Sequence, residues 1–143
     1  MVFKSKSAKA QRGFTLLELL VVLVILGMLA ALAGPRVMKY ISSAKSDTAK
    51  LQVEEFGAAL DMYKLEIGRY PNTQEGLQAL VEAPGGATNW NGPYLKKKTV
   101  PKDPWGADYN YASPGQHGAF DLFTHGADGR EGGEGEDRDI VNW

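Results

Sequence analysis

Between residues 14 and 34 only two side chains are polar, Thr15 and Glu18. A helix of that length spans about 30 Å, the thickness of a bilayer's hydrocarbon core. Pro35 follows. It removes one helical N–H and predicts a kink or local melting near Gly34–Pro35. Beyond it the pattern changes. Val37, Ile41, Ala44, Thr48, Leu51, Ala59, Tyr63 and Ile67 recur at mostly three- and four-residue steps. Lys39, Lys45, Asp47, Lys50, Glu54, Asp61, Lys64 and Glu66 fill most of the other side. That is the mark of an amphipathic helix, not a second span, and it predicts a helix to about Ile67, closed by Gly68 with Pro71 close behind.

Asn72 and Glu75 have capping-box spacing, and "TQEGLQALVE" then predicts a short second helix, stopped by Pro84-Gly85-Gly86. Residues 83–106 carry four prolines and four glycines, which predicts a loop. "DYNYA" (108–112) and "AFDLFT" (119–124) alternate with aromatic residues around "SPGQHG" and predict an antiparallel hairpin. The last twenty residues are Gly-rich and acidic, without a period. The expected fold class is α+β: a long N-terminal helix, transmembrane in its first half and amphipathic in its second, packed on a small antiparallel sheet. Three segments follow: a basic leader at 1–13, the apolar helix at 14–34 and a globular domain at 35–143. There is no internal repeat.

The net charge of the 143 residues is −1, but it is unevenly placed. Lys4, Lys6, Lys9 and Arg12 give the first 13 residues +4, leaving −5 for the rest. A basic start before an apolar run predicts that the N-terminus stays in the cytoplasm and the remainder crosses the membrane. The absence of cysteine excludes disulfides and thiolate metal sites.

The acidic end is the first candidate for chemistry. Asp128, Glu131, Glu134, Glu136, Asp137 and Asp139 stand among glycines, opposed by Arg130 and Arg138. Ca²⁺ takes six to eight oxygens and often mixes carboxylates with main-chain carbonyls. The spacing is not that of an EF-hand, because Arg130 and Gly132 stand where that loop needs acids. Composition alone fits a solvated acidic tail equally well. The ending Ile140-Val141-Trp143 favours an ordered loop, since a tail has no reason to end in residues that bury. A cation neutralising Asp128, Asp137 and Asp139 would let such a loop fold. His125 can contribute its main-chain carbonyl; otherwise it and His117 read as turn or surface residues. Lys96-Lys97-Lys98 is too short a basic run to predict nucleic-acid binding. Trp90, Trp105, Tyr109 and Tyr111 read as packing residues. G-x-S-x-G, H-E-x-x-H, P-loop and cysteine nucleophile are all missing, so nothing argues for an enzyme.

"KAQRGFTLLELLVVLVILGMLAALAGP" resembles the signal and N-terminal helix of type IV pilins and type II secretion pseudopilins. "ALDMYKLEIGRYPNTQEGLQALV", "GPYLKK", "DPWG" and "FDLFTHGADG…DIVNW" extend the likeness, over nearly the whole chain, to the major pseudopilins of type II secretion. The resemblance implies cleavage after Gly13 by a prepilin peptidase and N-methylation of Phe14. It implies that Glu18 of one subunit meets the new amine of the next and so sets the register of assembly. An intramembrane acid otherwise has no partner. It implies a periplasmic filament of many copies, with minor pseudopilins as partners and built from the inner membrane by an assembly platform, which acts in exporting folded proteins across the outer membrane. It also implies a Ca²⁺ held by Asp128, Asp139 and Asp137. His125 stands where that family is expected to have Leu, a departure without effect if only its carbonyl binds.

Two other readings are distinguishable. A type IV pilin for adhesion or motility fits less well with the acidic loop and with the lack of cysteine. A secreted, soluble Ca²⁺-binding module would arise if Ala31-Leu32-Ala33 were an ordinary signal-peptidase site, giving a mature start at Gly34 rather than Phe14.

Overall fold

The computed structural model describes residues 13–143; Lys4, Lys6, Lys9 and Arg12 of the expected leader lie outside the described residues. One helix, α1, runs from Leu16 to Ile67. The chain divides into two compact units, with the boundary between Met38 and Lys39.

In the first unit α1 is apolar on every face but for Glu18 and Arg36, and every described residue up to Met38 is exposed. Bare leucine, valine and isoleucine on all faces suit a lipid or a helical partner, not water. The helix does not melt at Gly34–Pro35 in this subunit. Gly34 and Pro35 both lie within continuous helix. Proline removes only one hydrogen bond, and the turns on either side keep theirs.

In the second unit α1 buries Ala49, Val53, Phe56, Ala59, Leu60 and Tyr63, a stripe of three- and four-residue steps. This corrects the expected face. Ala59 and Tyr63 lie on it, whereas Val37, Ile41 and Leu51 are exposed. The globular part buries the helix fully only from residue 49, with Ser42, Lys45 and Ser46 half-buried before it, and the stripe lies to one side of the one the pattern suggested. The helix stops at Gly68, whose φ of +88° only glycine adopts readily. The Gly68 N–H closes the last turn on the Lys64 carbonyl at 2.8 Å.

The Asn72–Glu75 box forms as expected. Asn72 Oδ1 accepts the Gln74 and Glu75 N–H groups, and Glu75 Oε2 accepts the Asn72 N–H at 2.8 Å. The helix expected after it shrinks to a 3-10 turn, Leu77–Leu80. Gly76, at φ +59° and ψ −164°, breaks the path from the box into a regular helix. Leu77, Ala79 and Leu80 still reach the core.

Three antiparallel strands follow in the order β1 (Asn110–Ala112), β2 (Asp121–Thr124) and β3 (Ile140–Val141). The hairpin pairs Tyr111 with Leu122, and β3 pairs Ile140 with Thr124. Tyr109, Leu122 and Ile140 complete the core against α1. Phe56 and Tyr109 meet edge to face, 5.1 Å between ring centres. Burying each such large side chain contributes about 1.5–3 kcal/mol.

Candidate functional site

The head of α1 is the first candidate site. Thr15 sits before the first helical residue and Glu18 three positions on, the spacing of a capping box. Glu18 Oε2 accepts the Thr15 N–H at 2.8 Å and the Thr15 hydroxyl at 3.0 Å; Thr15 Oγ1 accepts the Glu18 N–H at 3.2 Å. The sequence reading missed this role for Thr15, although the Thr-x-x-Glu signal was present. Phe14 is 89% exposed. A Cβ added at Gly13 would meet nothing within 4 Å. Among the described residues nothing therefore requires glycine there.

The second candidate is the loop from His125 to Asp139, which joins β2 to β3. It folds back on itself. The Ala127 N–H donates to the Glu136 carbonyl at 2.9 Å. Gly126 fits only because it lacks a side chain: a Cβ there would lie 2.6 Å from the Glu136 carbonyl oxygen and 2.9 Å from that of Arg138. Asp139 Oδ1 lies 3.1 Å from His125 Nδ1, and Oδ2 accepts the Gly132 N–H at 2.9 Å. Asp128 Oδ1 accepts the Arg130 N–H at 3.0 Å.

The four candidate ligands are thus placed unequally. Asp139 and His125 are brought together, and through the histidine ring rather than the carbonyl that the sequence suggested. Asp128 closes a local turn, Asp139 bridges the loop to Gly132, and Asp137 ends the 3-10 turn Gly135–Asp137. Among the described residues no three His, Asp or Glu side chains form a group that could hold a metal ion. The donor chemistry nevertheless suits a hard cation, since the side-chain candidates are carboxylates and main-chain carbonyls converge on Gly126.

Electrostatics favour ionised carboxylates here. Burial pushes the Asp139 carboxyl up, but the Gly132 N–H and the His125 ring outweigh it and hold it below the usual range. Glu136 is also held low, chiefly by the Trp105 indole N–H and, after burial opposes it, by Lys45. Trp105 and Asp103 are further residues that sequence reasoning placed only as packing or loop. Buried Asp103 accepts the N–H groups of Trp105 at 3.1 Å and Ala107 at 2.8 Å and the hydroxyl of Thr124. It ties the Asp-Pro-Trp-Gly turn to β2.

Residues 8–34 match the prokaryotic N-terminal methylation motif. With a long apolar-to-amphipathic helix and a small antiparallel sheet, this defines a pilin-like subunit. Residues 36–143 match the family described as type II secretion system protein G. The chain belongs to that family.

The type II secretion system core protein G of Pseudomonas aeruginosa is 53% identical over 139 residues, covering 94% of this chain and 96% of its own. That of Vibrio cholerae is 48% identical over 141 residues, covering 96% and 95%. The crystal structure of the major pseudopilin from the type 2 secretion system of enterohaemorrhagic Escherichia coli matches with a TM-score of 0.62 at 35% identity, over 76% of this chain and 95% of that one.

Proposed function

We propose that the chain is the major structural subunit of a type II secretion pseudopilus, a filament that helps export folded proteins. The observation that carries this is the match to the protein G family across residues 36–143 joined to the methylation motif at residues 8–34. The subunit waits in the inner membrane, its apolar helix in lipid and its globular domain in the periplasm. A prepilin peptidase cuts after Gly13, and Phe14 becomes the N-methylated terminus. The chain contributes structure and no catalysis. The assembly platform and the minor pseudopilins are its expected partners.

Assembly exchanges one surrounding for another. The bare apolar face of residues 16–34 leaves lipid and packs on neighbouring copies. The Glu18 carboxylate, capped by Thr15 within one subunit, meets the Phe14 amine of the next. An unpaired charge in that core is strongly unfavourable, so misregistered stacking is rejected. Gly34 and Pro35, helical in the lone subunit, are the weakest point of α1 if the rise must adjust in the filament. In the domain, Asp128, Asp137 and Asp139 with the His125 carbonyl would hold Ca²⁺. The ion would neutralise the acidic loop.

Intact mass and N-terminal sequencing of the protein from native membranes test the reading. A start at N-methylated Phe14 supports it. A start at Gly34 means that the apolar helix is discarded, and the secreted Ca²⁺-binding module takes its place.

A further inference from the structure

The acidic loop touches α1 through one side chain that neither the capping nor the ion-binding argument uses. Glu136 lies on the short 3-10 turn Gly135–Asp137. Its Oε1 accepts the Trp105 indole N–H at 3.0 Å and lies 3.6 Å from Lys45 Nζ on α1. Its main-chain carbonyl holds the Ala127 N–H at the other end of the loop. One residue therefore joins the two arms of the loop, the Asp-Pro-Trp-Gly turn and the helix. Its neighbours in the chain are also informative. Ala127 precedes Asp128, and Asp137 follows Glu136, so two of the carboxylates proposed for the ion are displaced directly when Glu136 moves. The anchor at the far side is firm, because Asp103 fixes the Trp105 main chain against β2.

We propose that Glu136 is a positioning residue that couples the ion-holding arrangement of the loop to the segment of α1 around Lys45. The proposal rests on the reading of this loop as a Ca²⁺ site. Glu136 is not assigned as a ligand: its carboxylate already faces an indole N–H and an ammonium group. The Ala127–Glu136 bond joins the two arms that carry Asp128 and Asp137, and with Ca²⁺ bound those carboxylates would hold the arms in this closed arrangement. In that closed arrangement the Glu136 side chain lies against Trp105 and Lys45, and stiffening the loop would stiffen these contacts. Both Lys45 and Glu136 are partly exposed, and such ion pairs by themselves contribute little. The hydrogen bond to Trp105 is charge-assisted and is the stronger arm. Coupling is reciprocal. If the ion steadies α1 through Glu136, then loss of Glu136 weakens ion binding by the same factor.

The test uses the full chain in detergent micelles, with hydrogen exchange read by mass spectrometry and CaCl₂ binding read by calorimetry. In the wild type, Ca²⁺ slows exchange in residues 39–50 several-fold and leaves residues 56–63, already packed, nearly unchanged. Glu136→Ala binds Ca²⁺ about 5- to 10-fold more weakly, and the Ca²⁺-dependent slowing at 39–50 is lost. Glu136→Gln keeps an acceptor for Trp105 and retains part of both effects. Trp105→Phe reproduces the alanine variant without touching the loop.

If Glu136→Ala and Trp105→Phe both keep wild-type affinity and wild-type slowing, the coupling is overturned. A wild type that binds Ca²⁺ with no change in exchange at 39–50 overturns the coupling alone. A wild type that gives no Ca²⁺ binding signal overturns the calcium reading, and the coupling with it.

Discussion

Thr15 and Glu18 close on one another, each side chain satisfying the other's main-chain N–H. The Glu18 carboxylate is therefore partnered before any second subunit arrives. Its role as a cap and its role as a charge can be separated, because glutamine also completes a capping box. Glu18→Gln is expected to keep the head of α1 helical yet to assemble poorly, and Glu18→Ala to lose both properties. Neither should shift the melting temperature of the globular domain. Filament yield after shearing, with thermal melts of the same proteins, reads this out. Normal filaments from Glu18→Gln would remove the charge from the register argument.

Asp128 distinguishes an ion-dependent loop from a merely acidic one. With Ca²⁺ at 100 times its Kd the folded state gains about 2.7 kcal/mol. Asp128→Ala should forfeit most of that gain, and its melting temperature should fall below wild type in Ca²⁺ but match it in chelator. An equal loss in both buffers would sink the metal role and leave Asp128 with only its turn to the Arg130 N–H.

Glu75 is asked to do two jobs. It accepts the Asn72 N–H and both terminal nitrogens of Arg69, at 2.6 and 2.7 Å. Glu75→Ala is expected to destabilise the domain by about 1–2 kcal/mol, mainly through the lost cap and hydrogen bonds. Arg69→Ala should do less, since half of that side chain is solvent-exposed and the cap survives it. Urea titration of the two variants ranks them. The reverse order would mean that the ion pair, not the cap, holds this corner.

Acid should loosen the same corner and the C-terminal loop together. Hydrogen bonds from Arg69 hold the Glu75 carboxyl below its ordinary range, and Asp139 and Glu136 are also held low. A carboxyl with a lowered value in the folded state binds fewer protons than in the unfolded chain. Its stabilisation is complete above the unfolded value, about pH 4, and drains away as pH falls through the folded value. In chelator the melting temperature should be level from pH 7 to about pH 5 and drop below about pH 4. A level profile down to pH 3 would contradict the lowered values.

The sequence announced what regular periods and short signals encode. The end of α1 at Ile67, the Asn72–Glu75 box and the hairpin around "SPGQHG" are all where the pattern puts them. Three features were not legible for physical reasons. β3 has two residues, too few for an alternation to show. The helix after Asn72 had good residues, but one backbone angle at Gly76 outweighed them. The contacts of Glu136 join positions 31 and 91 residues apart, and one glutamate in an acidic run has no local mark that sets it apart. The loop's carboxylates were legible as a composition, while their pairing with Gly132, Arg130 and His125 depends on how the backbone folds back.

The placement of the loop between two paired strands has a consequence for how such chains can vary. β2 ends at Thr124, β3 begins at Ile140, and these two residues are directly opposite in the sheet. Both ends of the segment are thus fastened at one point, and the sheet by itself sets no limit on its length. Closing a flexible loop costs only about 0.6 kcal/mol more each time its length doubles. Insertions and deletions between residues 129 and 135 should therefore leave the pairing of β2 with β3 intact, and their effect should fall on the Gly132 N–H that holds Asp139.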